Sequence, residues 1–346
     1  MRIALTADPD LPVPPVHYGG IERIVDMLAR GLARRGHEVT VFAHRQSTTM
    51  GEHVAWPGLS SRSLIDTAHN AALLARNVIA GRFDLVHSFS RVAYLAPLLP
   101  LPIPKLMTYQ REISRRSVML GHRMSRGSLW FSAISRAMMR DVENVGTWRL
   151  VFNGVPLETY RFSDNAKSAA PLVFLGRIEE IKGPHLAIEI ARKSSVPLVI
   201  AGNVPREHQG WFERYIQPKI DGTAIKYIGP VNDVQKNQLL GNARALLMPI
   251  LWEEPFGIVM AEAMACGTPV LGFARGAVPE IVKDGVTGFV RQSLDELVAV
   301  VPRLVEIDRV ACRHRVEQHF SEASVVEAYL AVYRDMLQGR RARILS

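Results

Sequence analysis

Short apolar runs alternate along this chain with longer amphipathic stretches. Residues 2–6 read as a buried strand, followed by a loop carrying Pro9, Pro12, Pro14 and Pro15 and then Gly19 and Gly20. The next segment has helical spacing: Ile21, Ile24, Val25, Leu28 and Leu32 fall on one face, with Glu22, Arg23, Asp26, Arg30 and Arg34 on the other, and Gly36 stops it. Residues 39–42 form the next apolar run. Strand, glycine loop, helix, strand is the signature of a parallel sheet with crossover helices. Residues 85–87, 105–109, 130–134 and 149–152 repeat the strand pattern.

Between residues 156 and 171 the chain turns polar, and a second series follows. Strands are predicted at 172–175, 197–201, 225–228, 245–249 and 269–272, with helices from about 184 and over 256–265. The expected fold class is therefore α/β, with two tandem Rossmann-like, doubly wound parallel-sheet domains. Each binds ligand at the carboxyl ends of its strands. The expected boundaries are 1–165, 166–323, and a C-terminal helix segment, 324–346, whose helix over about 324–337 packs back on the first domain. The tail from Gly339, with Arg340, Arg341 and Arg343, reads as frayed.

Composition narrows the function without choosing it. A length of 346 residues exceeds what one core usually organises, and two domains imply a cleft. The apolar fraction of 48% and charged fraction of 22% are ordinary, and the longest apolar stretch, 94–107, holds four prolines and cannot span a bilayer. The first seven residues are too short a run for a signal peptide, which points to the cytoplasm. Cys266 and Cys312 lack zinc or disulfide spacing and read as buried thiols. The formal charge of +9 suits nucleic acid, an anionic membrane face or an anionic substrate. The cations form no long run and are not interleaved with aromatics, which argues against nucleic acid.

The densest chemistry lies in LWEEPFGIVMAEAMACGTPVLG, residues 251–272. Pro255 fits the opening of a helix whose backbone amides, at Phe256, Gly257, Ile258 and Val259, would point at an anion such as a phosphate. Glu254 and Glu262 stand on either side of that start and suit hydroxyls. The plainer alternative makes Glu254 a helix-start charge and Glu262 part of a solvated face, the latter disfavoured by its neighbours Ala261, Ala263, Met264 and Ala265.

Glu254, seven intervening residues and Glu262, in the frame EPFGIVMAEAMACGTPV, resemble the signature of retaining glycosyltransferases of family 4. The resemblance extends to FLGRIEEIKG with Arg177 and Lys182, to the Gly19-Gly20 loop, to FNGV at 152–155 and to GAVPEIVKDGVTGFV at 276–290, and so covers essentially the whole chain. It implies the GT-B fold, two such domains facing across a cleft. It also implies transfer of a hexosyl unit from a nucleotide-diphosphate sugar, as co-substrate, to an acceptor hydroxyl, without metal or other cofactor, in glycan, glycolipid or glycosylated-metabolite synthesis. On the family pattern Arg177 and Lys182 clamp the departing diphosphate, Glu254 meets the donor sugar and Glu262 the ribose. Gly19 and Gly20 let the backbone approach the phosphates, and Gly202, Asn203 and Gly229 to Val231 cradle the base. No side chain is an evident nucleophile, and the family is associated with front-face attack.

One departure is Gln110, where relatives often carry His. Gln cannot transfer a proton but can orient a sugar hydroxyl. The resemblance thus puts Glu254, Arg177, Lys182 and Gln110 at the chemistry. His87, ending the previous strand, reads as a core-edge histidine or an acceptor-side neighbour. Asp8-Pro9-Asp10 matches a metal-binding tripeptide, common by chance, and no metal is expected. Arg111, Arg115, Arg116, Arg123 and Arg126, set against Glu112 with Val118, Met119, Leu120 and Met124 between them, form either a solvated basic face or an acceptor-side surface for an acidic acceptor or anionic lipid headgroups. The rival functions are an epimerase or phosphorylase on the same fold, separable by incubation with donor alone, and a non-catalytic nucleotide-sugar-binding subunit, separable by binding without turnover.

Overall fold

The computed structural model describes residues 1–15, 19–164 and 170–345, with side chains described as far as 339. The chain divides into two units: Met1–Asn153 together with Glu322–Ser346, and Gly154–Ser321. The first division falls at 153/154 rather than 165/166, because Val155 already belongs to the second unit, where it donates its amide to Phe320 O at 2.8 Å and bridges Ser321. Part of the polar stretch taken as the boundary, 165–169, lies outside the described residues.

The first unit runs β1 (Arg2–Thr6), α1 (Gly20–Ala33), β2 (Glu38–Ala43), β3 (Glu52–Ala55), α2 (Leu64–Ala80), β4 (Leu85–Ser88), β5 (Lys105–Tyr109), α3 (Arg115–Ser125), β6 (Leu129–Ala133), α4 (Arg136–Met139) and β7 (Trp148–Leu150). All seven strands are parallel, in the order β3-β2-β1-β4-β5-β6-β7. Helices on both faces bury the central strands completely, which is why these read as apolar runs and not as alternation.

The second unit runs β8 (Leu172–Leu175), α5 (Pro184–Ser194), β9 (Leu198–Ala201), α6 (Gln209–Tyr215), β10 (Ile225–Tyr227), α7 (Asp233–Gly241), β11 (Ala245–Met248), α8 (Ile258–Ala265), β12 (Val270–Phe273), α9 (Val278–Ile281), β13 (Gly288–Arg291), α10 (Leu294–Val300) and α11 (Arg309–His319). Its parallel sheet has the order β10-β9-β8-β11-β12-β13. The order reverses between β8 and β11, and the carboxyl ends of strands at such a reversal are where doubly wound sheets form their ligand crevice. Polar caps start several helices: Ser63 accepts from Asp66 N at 3.1 Å, and Asn232 and Gln235 form a reciprocal capping box on α7.

The final helix, α12 (Glu322–Leu345), belongs to the first unit. It is longer than the sequence suggested and continues through Gly339, where a frayed tail was expected; the side chains of Arg340, Arg341 and Arg343 lie outside the described residues. It lies against α1, where a Cβ on Gly31 would collide with Val326, and Arg34–Glu322 (3.2 Å) and Arg35–Glu327 (2.8 Å) flank the seam. Two residues expected outside on α1 are buried. Glu22 is 4% exposed, and Asp26, at 8%, pairs with Arg30 at 3.0 Å; burial raises the pKa of both carboxyls.

Candidate donor site and family

The residues singled out in the second unit gather at the reversal of strand order. Arg177 follows β8 directly, and a 3-10 turn, Glu180–Lys182, brings Lys182 back beneath the loop leaving β11. Gly183, at φ 76°, makes this possible: a Cβ there would collide with Pro249 O, the loop of the neighbouring strand. Gly202, ending β9 at φ 143°, is pressed as closely on Gly176 O. These two contacts hold the crevice floor at backbone distance and admit no side chain.

Lys182 Nζ donates to Glu254 Oε2 at 2.6 Å and lies 4.5 Å from the centre of the Trp252 ring, while Trp252 Nε1 donates to the same oxygen at 3.0 Å. One turn into α8 the arrangement recurs. Lys236 Nζ and Tyr160 OH both donate to Glu262 Oε1 at 2.5 Å, and Lys236 lies 5.3 Å from the Tyr160 ring centre. Each carboxylate is thus held by a lysine and an aromatic donor converging on one oxygen, with the lysine over that aromatic. Both carboxylates are largely buried, Glu254 at 7% and Glu262 at 8% exposure, so Glu262 is not part of a solvated face. Arg177 Nη2 pairs with Glu179 Oε1 at 2.8 Å, and His208 stands on the other oxygen of Glu179 at 3.4 Å.

Helix α8 begins later than expected. Pro255 and Phe256 precede it, Gly257 is its N-cap in a left-handed conformation, and Ile258 and Val259 are its first residues. Met260 N is already taken by Gly257 O at 2.9 Å. The Phe256 side chain, 1% exposed, packs edge-on against Phe320. The helix mouth is therefore narrower than the sequence implied. Gly276 N donates to Glu253 Oε2 and Ala277 N to Glu254 O, both at 2.8 Å, so the loop after β12 fixes the backbone bearing Glu254. Beside Gly202, whose amide meets Gly229 O at 2.8 Å, Asn203 is exposed and Val231 half-buried.

In the first unit Gly19 is the N-cap of α1 and Gly20 its first residue, next to residues 16–18, which are not described. Gln110, just past β5, is locked to Asn153 by two reciprocal amide hydrogen bonds of 2.8 and 2.7 Å, joining the strand end to the FNGV segment. His87 is no acceptor-side residue. It is fully buried, with Nδ1 2.6 Å from Tyr333 OH and Nε2 2.6 Å from Thr108 Oγ1, and burial lowers its pKa well below the usual histidine value. Arg111, Arg115 and Arg116 are all exposed, and Arg115 is tied to Asp141 O and to Asn144 Oδ1. Burial, reinforced by Asp10, raises the Asp8 pKa to about 6 against the pull of Arg111 and Arg91. Among the described residues no group of three or more His, Cys, Asp or Glu is placed to hold a metal ion.

Sequence reasoning missed Trp252, Tyr160 and Lys236. Trp252 stood inside the motif, two residues before Glu254. Tyr160 and Lys236 lie 102 and 26 residues from Glu262, with no local signal.

Residues 18–159 match the model for Glycosyltransferase Family 4 and residues 158–318 that for Glycosyl transferases group 1. The chain is 23% identical to spore coat protein SA of Bacillus subtilis (strain 168), over 96% of this chain and 99% of that one. It is 25% identical to a D-inositol 3-phosphate glycosyltransferase of Acidothermus cellulolyticus, over 93% and 87%. Among solved structures it resembles AviGT4, a glycosyltransferase involved in avilamycin A biosynthesis (TM-score 0.72, 24% identity, 98% of each chain). It also resembles Anabaena HepE in complex with UDP and glucose (TM-score 0.72, 18% identity, 97% and 100%). Two parallel-sheet units with this likeness are the GT-B fold, and the chain belongs to glycosyltransferase family 4, a glycosyltransferase that draws on a nucleotide sugar.

Proposed function

We propose that this protein moves a hexosyl unit from a nucleotide-diphosphate sugar to an acceptor hydroxyl with retention of configuration, and that the crevice of the second unit holds the donor. The observation that carries this reading is the meeting of Lys182 and Glu254 at 2.6 Å, where the loops after β8 and β11 adjoin and α8 begins. Breaking the glycosidic bond puts charge on the departing diphosphate; Arg177, Lys182 and the first amides of α8 supply the compensating positive field. A diphosphate there competes with Glu254 for Lys182. The carboxylate that is released can turn to the sugar hydroxyls, so the donor itself arms Glu254. HepE, solved with UDP and glucose, makes UDP-glucose the first donor to try.

Calorimetric titration with UDP, GDP and ADP, followed by transfer assays with the matching sugars, tests the reading. Arg177→Ala and Lys182→Ala are expected to weaken nucleotide binding about tenfold or more. Wild-type affinity and transfer in both folded variants would overturn it.

On the acceptor side, Gln110 is assigned an orienting role and Arg111 and Arg116 the recognition of an acidic or lipid-linked acceptor. The outer face of α3 supports the lipid-linked form: Met119, Leu120 and Met124 are 51%, 61% and 40% exposed and are interspersed with exposed Arg116 and Arg123. No helix among the described residues is long and apolar enough to cross a membrane, so such contact is peripheral. Sedimentation with vesicles of neutral and of anionic lipid is expected to retain the protein on the anionic ones alone. Equal binding to both would rule this surface out.

A further inference from the structure

Glu262 is held more firmly than a ligand-binding carboxylate on a helix requires. Tyr160 is 3% exposed, and its backbone carbonyl accepts from Arg313 Nη1 at 2.9 Å. The same nitrogen donates to Ala265 O, at the end of α8, also at 2.9 Å. One guanidinium thus fastens both the helix bearing Glu262 and the tyrosine that orients it. Lys236, its side chain 12% exposed, is steered from its own helix by Asp233 at 3.3 Å.

Both donors to Glu262 converge on Oε1. No donor to Oε2 occurs among the described residues, so the carboxylate is presented with one oxygen saturated and the other available as an acceptor. A vicinal diol is the natural complement, because its hydroxyls can donate to a single charged oxygen.

We propose that Tyr160 and Lys236 are positioning residues that set Glu262 to recognise the ribose hydroxyls of a nucleoside diphosphate. The inference rests on the second unit's crevice being the donor site. It adds that discrimination for ribose is set by two side chains that need not touch the ligand.

The test compares affinity for UDP, GDP and ADP with that for their 2′,3′-dideoxy counterparts by calorimetry, in the full-length protein and in Tyr160→Phe, Lys236→Met and Lys236→Arg. Wild type is expected to favour the ribonucleotide about tenfold or more, the value of hydrogen bonds to a charged group. Tyr160→Phe and Lys236→Met should bring that preference to within about threefold by weakening the ribonucleotide alone, while Lys236→Arg keeps most of it. Tyr160→Phe retains the buried ring, so it tests the idea even if Lys236→Met fails to fold. Variants that keep the full preference, or lose affinity for ribo- and dideoxy-nucleotides alike, would show Tyr160 and Lys236 to be structural and leave the donor site standing. A wild type that binds none of the three nucleotides would remove the donor site and this inference together.

Discussion

His87 shows how completely burial can decide a residue's role. A histidine at the carboxyl end of a strand is placed for chemistry, yet both ring nitrogens are engaged in the core and the ring packs on Phe89 and Tyr329. The folded state holds it neutral, while the unfolded chain takes up a proton near pH 6.5. Below that pH the unfolded state binds more protons, so stability is present above about pH 6.5 and falls with acidification, by up to about 1.4 kcal/mol per pH unit from this group. Urea unfolding of wild type and His87→Gln at pH 7.5 and 5.0 checks the sign: the wild type should lose more on acidification, and an equal loss in both would refute it. Gly202 gives a second residue-scale expectation. Alanine there must displace the backbone at Gly176 O, and Gly202→Ala should cost about 2 to 4 kcal/mol and weaken nucleotide binding, measured by denaturant midpoint and calorimetry.

At the scale of elements, the seam between α1 and α12 is closed by the absence of a side chain at Gly31. Gly31→Val should push Val326 away and lower stability by about 1 to 3 kcal/mol, the usual cost of overpacking, and an unchanged melting temperature would show the seam to be loose. These elements also show what the sequence could and could not disclose. Central strands such as β1, β5 and β8 were legible because a parallel sheet buried on both faces needs unbroken apolar runs. The edge strand β3 was not, since Glu52 and Ala55 are exposed and no apolar run marks it. Helix α2 escaped because Leu64, Ile65 and Ile79 lie outside, at 85%, 69% and 59% exposure, which blurs its apolar stripe. In the site, Glu254, Glu262, Arg177 and Lys182 could be named because each lies in a contiguous motif. Their partners could not: Tyr160 and Lys236 reach Glu262 only through the fold, and Gln110 meets Asn153 across 43 residues. Glu22 and Asp26 were misplaced outward because helical periodicity records residue type and is blind to a carboxylate taken inside.

Across the whole molecule, the two thiols report on one unit only. Cys266 and Cys312 both lie in the second unit, fully buried, and burial pushes each pKa to about 12. Reaction with a disulfide reagent at pH 8 should be negligible in native buffer and rise to two thiols only as the second unit opens in denaturant. A thiol that reacts in native buffer at the rate of free cysteine would contradict the burial.

The first unit, in contrast, is assembled from both ends of the chain. Tyr329 and Tyr333 complete the core around His87 and Thr108, yet they follow the entire second unit in sequence. During translation, residues up to 153 therefore leave the ribosome with that core unfinished, reversing the usual order in which the N-terminal part folds first. Nascent chains stalled so that residues up to 321 have cleared the ribosome should carry a protease-resistant second unit and a cleavable first one, which becomes resistant only once the closing helix emerges.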